Sequence, residues 1–256
     1  MRYISTPGTR APTLAGQQNL HRWMKPQSPI LAYANHLWQK KLENSPDLQS
    51  LFRNVKSPSS FVNHLLTETH LPAYHQLVRG SFMLRGITPL CSDKIPRSSH
   101  YYHFFKSLEK NPPSFWEGVP NPQDIQPGDL LSYAPLDPNE FQKYHTGVVK
   151  NILSISNAGK EVEVTVIDYA GGPHSFDFDS RPKAAQGLGL SIGTFNFSPG
   201  DSSVQWGENG VRKPREIAVG RVLWSNSSSQ RSLTMLKLKN TGKVHDPLTK
   251  TPLFMT

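Results

Sequence analysis

The apolar period of this chain changes once, and that change sets what the chain can fold into. Up to about residue 110 hydrophobic side chains recur every three or four positions, and from Gly128 onward they tend to alternate. The first half therefore predicts amphipathic helices and the second half strands. Residues 29–44 place Ile30, Leu31, Ala34, Leu37, Trp38 and Leu42 on one helical face, with Pro29 suited to the first turn. Further helices are expected over 46–55, 59–67 and 72–78. Pro89 disfavours a helical Thr88, so another helix is expected to start close to Cys91 and continue into 98–110, where Tyr101, Tyr102, Phe104, Phe105 and Leu108 recur at helical spacing.

After a breaker-rich linker over 111–126, strands are expected at 128–133, 146–155, 161–169, 190–197 and 217–224. Residues 157–159 form the turn of a hairpin. Residues 1–28, rich in Pro, Gly, Ser and Gln, read as an extended arm, and 225–256, opening on a serine-rich run, as a tail. Between them lie a helical part, 29–80, and a mixed domain, 81–224. No internal repeat is visible.

With 22 prolines and 18 glycines, the chain cannot be a coiled coil or a helical membrane bundle, and no apolar run approaches the ~20 residues of a membrane span. No apolar stretch follows Arg2, so export through a signal peptide would need a segment outside this numbering. The expected location is the periplasm or the exterior with such a segment, and the cytoplasm without it. The 28 Lys and Arg against 19 Asp and Glu give a net charge of +9, which favours encounter with anionic polymers. The basic residues are scattered, and no block of the kind that grips nucleic acid occurs, so a nucleic-acid partner is not expected.

A single cysteine excludes an internal disulfide and every multi-cysteine metal site, leaving Cys91 as an inert buried thiol or a reactive one. Three features stand in an order that favours reactivity. Leu90-Cys91-Ser92-Asp93 is expected to enter a helix, Pro127-Gly128-Asp129-Leu130-Leu131 opens the sheet, and His145-Thr146-Gly147-Val148-Val149 begins the next strand. A helix N-terminus and a nearby imidazole both favour the thiolate, and backbone N–H groups there can face a developing oxyanion.

These residues resemble the NlpC/P60 superfamily of papain-like cysteine hydrolases, over about a third of the chain from Leu84 to Tyr169. The resemblance implies an α+β fold of papain-like NlpC/P60 type, with N-terminal helices packed on a central antiparallel sheet. It also implies Cys91 as nucleophile, His145 as base and a polar third residue on the neighbouring strand. The implied substrate is a peptide of the bacterial cell wall, cleaved at an amide bond without cofactor or metal. Asp93 stands where the family usually has glycine.

Asp168, in the strand after the hairpin turn, is the candidate third residue, since the hairpin returns that end toward His145; it could equally cap the turn at 170–172. Ser92 and Asp93 beside the nucleophile, and His174 in the polar loop 171–181, are candidate substrate contacts, with His174 also an alternative orienting group. A metal site built from His100, His103, Asp177 and Asp179 lacks a recognised ligand spacing. Glycines 187, 189 and 193 lack the pattern of a phosphate loop and fit a bending strand. The rival reading from another class is a non-catalytic binding protein for an anionic polymer, and an acyltransferase or a protein-directed peptidase would use the same thioester.

Overall fold

The structure is a computed structural model and describes residues 28–43, 55–84, 95–137, 144–156, 158–171, 179–181, 187–206 and 211–224. The expected arm apart from Ser28, the tail, and the helix expected over 46–55 apart from Val55 lie outside them, as do Cys91, Ser92, Asp93 and His174.

Four α-helices occupy the first half of the described chain: α1 (Pro29–Leu42), α2 (Pro58–Thr69), α3 (Leu71–Met83) and α4 (Ser98–Ser107). Proline stands in the first turn of α1, α2 and α3, where its missing N–H costs no helical hydrogen bond. Ser57 caps α2, its hydroxyl accepting from the N–H of Ser60, and His70 caps α3, its Nδ1 accepting from the N–H of Ala73 at 3.1 Å. The helix expected to run from Cys91 into 98–110 is corrected: Pro96 and Arg97 are not helical, Arg97 is extended, and α4 begins at Ser98. A proline two residues before a helix start suits an extended approach.

Seven strands follow: β1 (Trp116–Gly118), β2 (Leu130–Pro135), β3 (His145–Ile155), β4 (Glu161–Ala170), β5 (Gly187–Asn196), β6 (Ser203–Gln205) and β7 (Lys213–Val222). All pairings are antiparallel, in the order β1-β7-β2-β3-β4-β5-β6, and β6 pairs again with β7. That last pairing, Ser203 with Pro214 and Val204 with Lys213, closes six strands into a barrel. Register shifts in β3 between Val149 and Asn151 and between Ile152 and Ser154 mark irregularities of the kind that bend a strand around a barrel.

The expected papain-like arrangement, helices packed on an open central sheet, is therefore not what the chain forms. The sheet is a closed six-stranded antiparallel barrel, and the described residues contain four helices. The closure depends on β6, a strand of three residues too short to show a period in the sequence.

Alternation along each strand divides the core in two. Leu131, Tyr133, Val149, Val164, Val166, Phe195, Val204, Trp206, Ile217 and Val219 fill the barrel interior. Leu130, Ala134, Val148, Ile167, Leu188 and Ala218 face outward and meet Leu37, Phe61, Leu65, Leu77, Tyr101 and Phe105 of the helices. Helices α2 and α4 lie over β2, β3, β4 and β7, α1 reaches β3, β4 and β5, and α3 packs on α2 and α4. The four helices and the barrel's outer face thus share one core.

Candidate active site

Antiparallel registry brings four interior-facing residues to one end of the barrel. Tyr133 lies near the end of β2, His145 opens β3 opposite it, Asp168 lies near the end of β4, and Trp206 follows β6. Asp168 belongs opposite Gly147, since Val148 pairs with Ile167, so His145 meets it on the diagonal of the same face. His145 Nε2 and Asp168 Oδ2 are 2.7 Å apart. Gly147 makes this approach possible: a Cβ there would lie 2.5 Å from Val166 Cγ1, 3.0 Å from Trp206 and 3.3 Å from Asp168 Cβ.

Aromatic rings hold the imidazole on two sides. Tyr133 stacks on it with centroids 6.0 Å apart at 21°, and Trp206 presents its ring at 4.6 Å and 87°. Trp206 Nε1 donates to Ser191 Oγ at 2.9 Å, which fixes the indole plane. Burial pushes the Tyr133 phenol well above its ordinary value, with Arg215 pulling it down and Asp168 adding to the rise, so Tyr133 serves this end of the barrel as a neutral ring.

The charge on Asp168 is met from its other oxygen. Arg181 Nη1 donates to Asp168 Oδ1 at 3.0 Å, while its Nε and Nη2 donate to Asp179 Oδ1 and Oδ2 at 3.0 and 2.7 Å. His145 is 7% exposed, Asp168 0% and Arg181 4%, so the whole chain of groups is buried. Burial opposes the charge on Arg181, but Asp168 and Asp179 together outweigh it and hold the guanidinium above its ordinary pKa. Lys41, from the last turn of α1, donates to the carbonyl of Leu188; burial and then Arg181 lower its pKa, partly offset by Asp179 and Asp168.

The segment carrying Arg181 is pinned to the edge of β5 that the short β6 leaves uncovered. Ser180 N donates to Leu190 O at 2.9 Å, Leu190 N to Ser180 Oγ at 2.8 Å, and Asp179 bridges Ser191. Gly189 lies beneath the guanidinium, where a Cβ would sit 2.4 Å from Arg181 Cζ.

Of the sequence candidates, His145 and Asp168 are brought together. Both oxygens of Asp168 meet side chains, His145 and Arg181, while the turn at 170–172 that it could also cap runs beyond the described residues. Cys91, Ser92, Asp93 and His174 lie outside the described residues. The Pro127-Gly128-Asp129 motif proves to be a buried brace: Asp129 accepts from Gln126 N at 2.8 Å and from Arg221 Nε and Nη2 at 2.8 and 2.9 Å.

In the sequence Arg181 stands in the polar loop 171–181 with no role of its own, and Tyr133 and Trp206 are not marked as neighbours of the histidine. The Asp179-Ser180-Arg181 spacing was the available signal for the first; nothing local marked the other two. Among the described residues no group of three or more His, Asp or Glu side chains could hold a metal ion. Nor is any described helix long and apolar enough to cross a membrane.

Chemically, a carboxylate bonded to a guanidinium accepts the imidazole's Nε2–H, which makes Nδ1 the basic nitrogen of the neutral ring. That is the orientation a base needs in order to take a proton from a thiol. No family model, curated protein or solved structure matches this chain, so the geometry and the motifs carry the functional argument.

Proposed function

We propose that the protein is a cysteine hydrolase that cleaves an amide bond through a thioester, with Cys91 as nucleophile, His145 as base and Asp168 as its orienting partner. The observation that carries this reading is the buried 2.7 Å contact between His145 Nε2 and Asp168 Oδ2 at one end of the barrel. In the proposed reaction His145 Nδ1 takes the thiol proton, and the thiolate attacks the amide carbonyl. The tetrahedral intermediate then expels the amine with the proton returned by His145, and water, deprotonated by the same nitrogen, releases the acid. The substrate proposed is a peptide of the bacterial cell wall, on the strength of the NlpC/P60-like motifs at Cys91, Pro127 to Leu131 and His145 to Val149. The +9 charge suits an anionic wall polymer.

One observation favours a second reading. The polar chain from His145 to Asp179 is so thoroughly buried and internally paired that it would also serve as a structural brace in a non-catalytic protein binding an anionic polymer. Digestion of purified peptidoglycan fragments, followed by mass spectrometry, separates the two. Wild type is expected to release peptide fragments and Cys91→Ser none. Intact fragments bound by both proteins would favour the binding reading.

A further inference from the structure

We infer that Arg181 is a positioning residue for His145, fixing through Asp168 which imidazole nitrogen carries the proton. Asp168 is held at both oxygens, by Arg181 at 3.0 Å on Oδ1 and by His145 at 2.7 Å on Oδ2. Arg181 can only donate, and its fork is locked from behind by three bonds to Asp179, those from the backbone N at 2.8 Å, Nε at 3.0 Å and Nη2 at 2.7 Å. The carboxylate therefore neither rotates away from the ring nor lacks a counter-charge. It stays an acceptor, and the neutral histidine carries its hydrogen on Nε2.

Removal of the guanidinium takes this counter-charge from Asp168 while leaving the carboxyl buried against the imidazole. A desolvated carboxyl in that setting gains by taking a proton and donating it to Nε2, which moves the ring hydrogen to Nδ1 and removes the base. The fold has given up a side chain to keep this arrangement, because any Cβ at Gly189 would collide with Arg181 Cζ at 2.4 Å. The Asp179-Ser180-Arg181 segment, pinned to β5, is thereby as much a part of the site as the strands that carry His145 and Asp168. The inference concerns the histidine; its catalytic consequence rests on the hydrolase reading.

The test is the nitrogen spectrum of the His145 ring in the full-length protein with labelled histidine, assigned by loss of the signal in His145→Gln. Wild type is expected as the Nε2–H tautomer. Arg181→Met is expected to shift most of the population to Nδ1–H, and Arg181→Lys, which keeps one charged donor, to restore part of it. Gly189→Ala, which displaces the guanidinium without removing its charge, is expected to follow Arg181→Met and gives the answer should that variant not fold. Arg221→Lys, at the part-buried Arg221–Asp129 pair, serves as control: it is expected to lower stability and leave the His145 signal in place.

If nine-tenths of the ring changes tautomer, alkylation of Cys91 at neutral pH should slow about tenfold. An Nε2–H signal unchanged in folded Arg181→Met or Gly189→Ala overturns the inference. A changed signal with Cys91 reactivity indifferent to His145 upholds the positioning role and removes the hydrolase reading instead.

Discussion

Gly147 and His70 show how single residues in this chain answer to more than their own backbone. Gly147 sits where the His145–Asp168 diagonal crosses, with Val166 and Trp206 already against the space a side chain would fill. Gly147→Ala should cost about 1–3 kcal/mol in chemical denaturation and push Asp168 from the imidazole. Wild-type stability together with an unchanged ring would show that the crossing has slack. In the sequence this glycine reads only as part of a motif, because its purpose lies in the neighbouring strand.

His70 is buried between Phe115 and Trp224, with ring centroids at 5.0 and 4.7 Å, and caps α3 through an unprotonated Nδ1. Burial lowers its pKa below the ordinary 6.5, against a smaller upward pull from the backbone of His70 and Leu223. The sign follows from linkage: above pH 6.5 both folded and unfolded forms are neutral at this site, and below it the unfolded chain takes the proton first. Stability contributed here is thus present at neutral pH and lost as pH falls through the folded value. His70→Asn keeps a cap oxygen without a titrating ring, so denaturation midpoints should be lower at pH 7 yet decline less steeply below pH 6.5. An unchanged slope would place the acid response elsewhere.

Among the elements, β6 does the most with the fewest residues. Its three positions join β5 to β7, and Trp206 immediately after it packs on Phe195, Tyr133 and His145 inside the barrel. Trp206→Ala should cost about 3–5 kcal/mol, as expected for removing a large buried ring, and loosen the His145 ring as well. A loss below 1 kcal/mol would mean that the closure stands without the indole. Longer elements were legible: α1, α2, β3, β4, β5 and β7 lie close to the expected spans because each carries its own period over ten or more residues. Strands β1 and β6, three residues each, carry none and form because β7 offers them an edge. The expected continuity into α4 does not hold, since Pro96 and an extended Arg97 precede its start at Ser98, while the segment around Cys91 lies outside the described residues.

For the whole molecule, helices followed by strands could be read from the change of period, whereas the closed barrel could not, and the expected helices-on-sheet arrangement gave way to it. An open sheet and a barrel share the same alternation, and they differ by one pairing, β6 with β7, between residues with no local signature. Half of the site was legible in the same sense. His145 and Asp168 lie on two strands of one hairpin, so the turn alone predicts their meeting, and they stand 2.7 Å apart. Arg181 reaches them from a segment beyond that hairpin, and Trp206 from across the closed sheet, so neither could be placed before the barrel was known.

The central claim, that His145 is the base for Cys91, is tested most directly by the rate at which iodoacetamide alkylates Cys91 near pH 7. The expected rate is at least tenfold above that of an ordinary free thiol, falling to the ordinary rate in His145→Ala. A wild-type rate equal to the free thiol and unaffected by His145→Ala would contradict it.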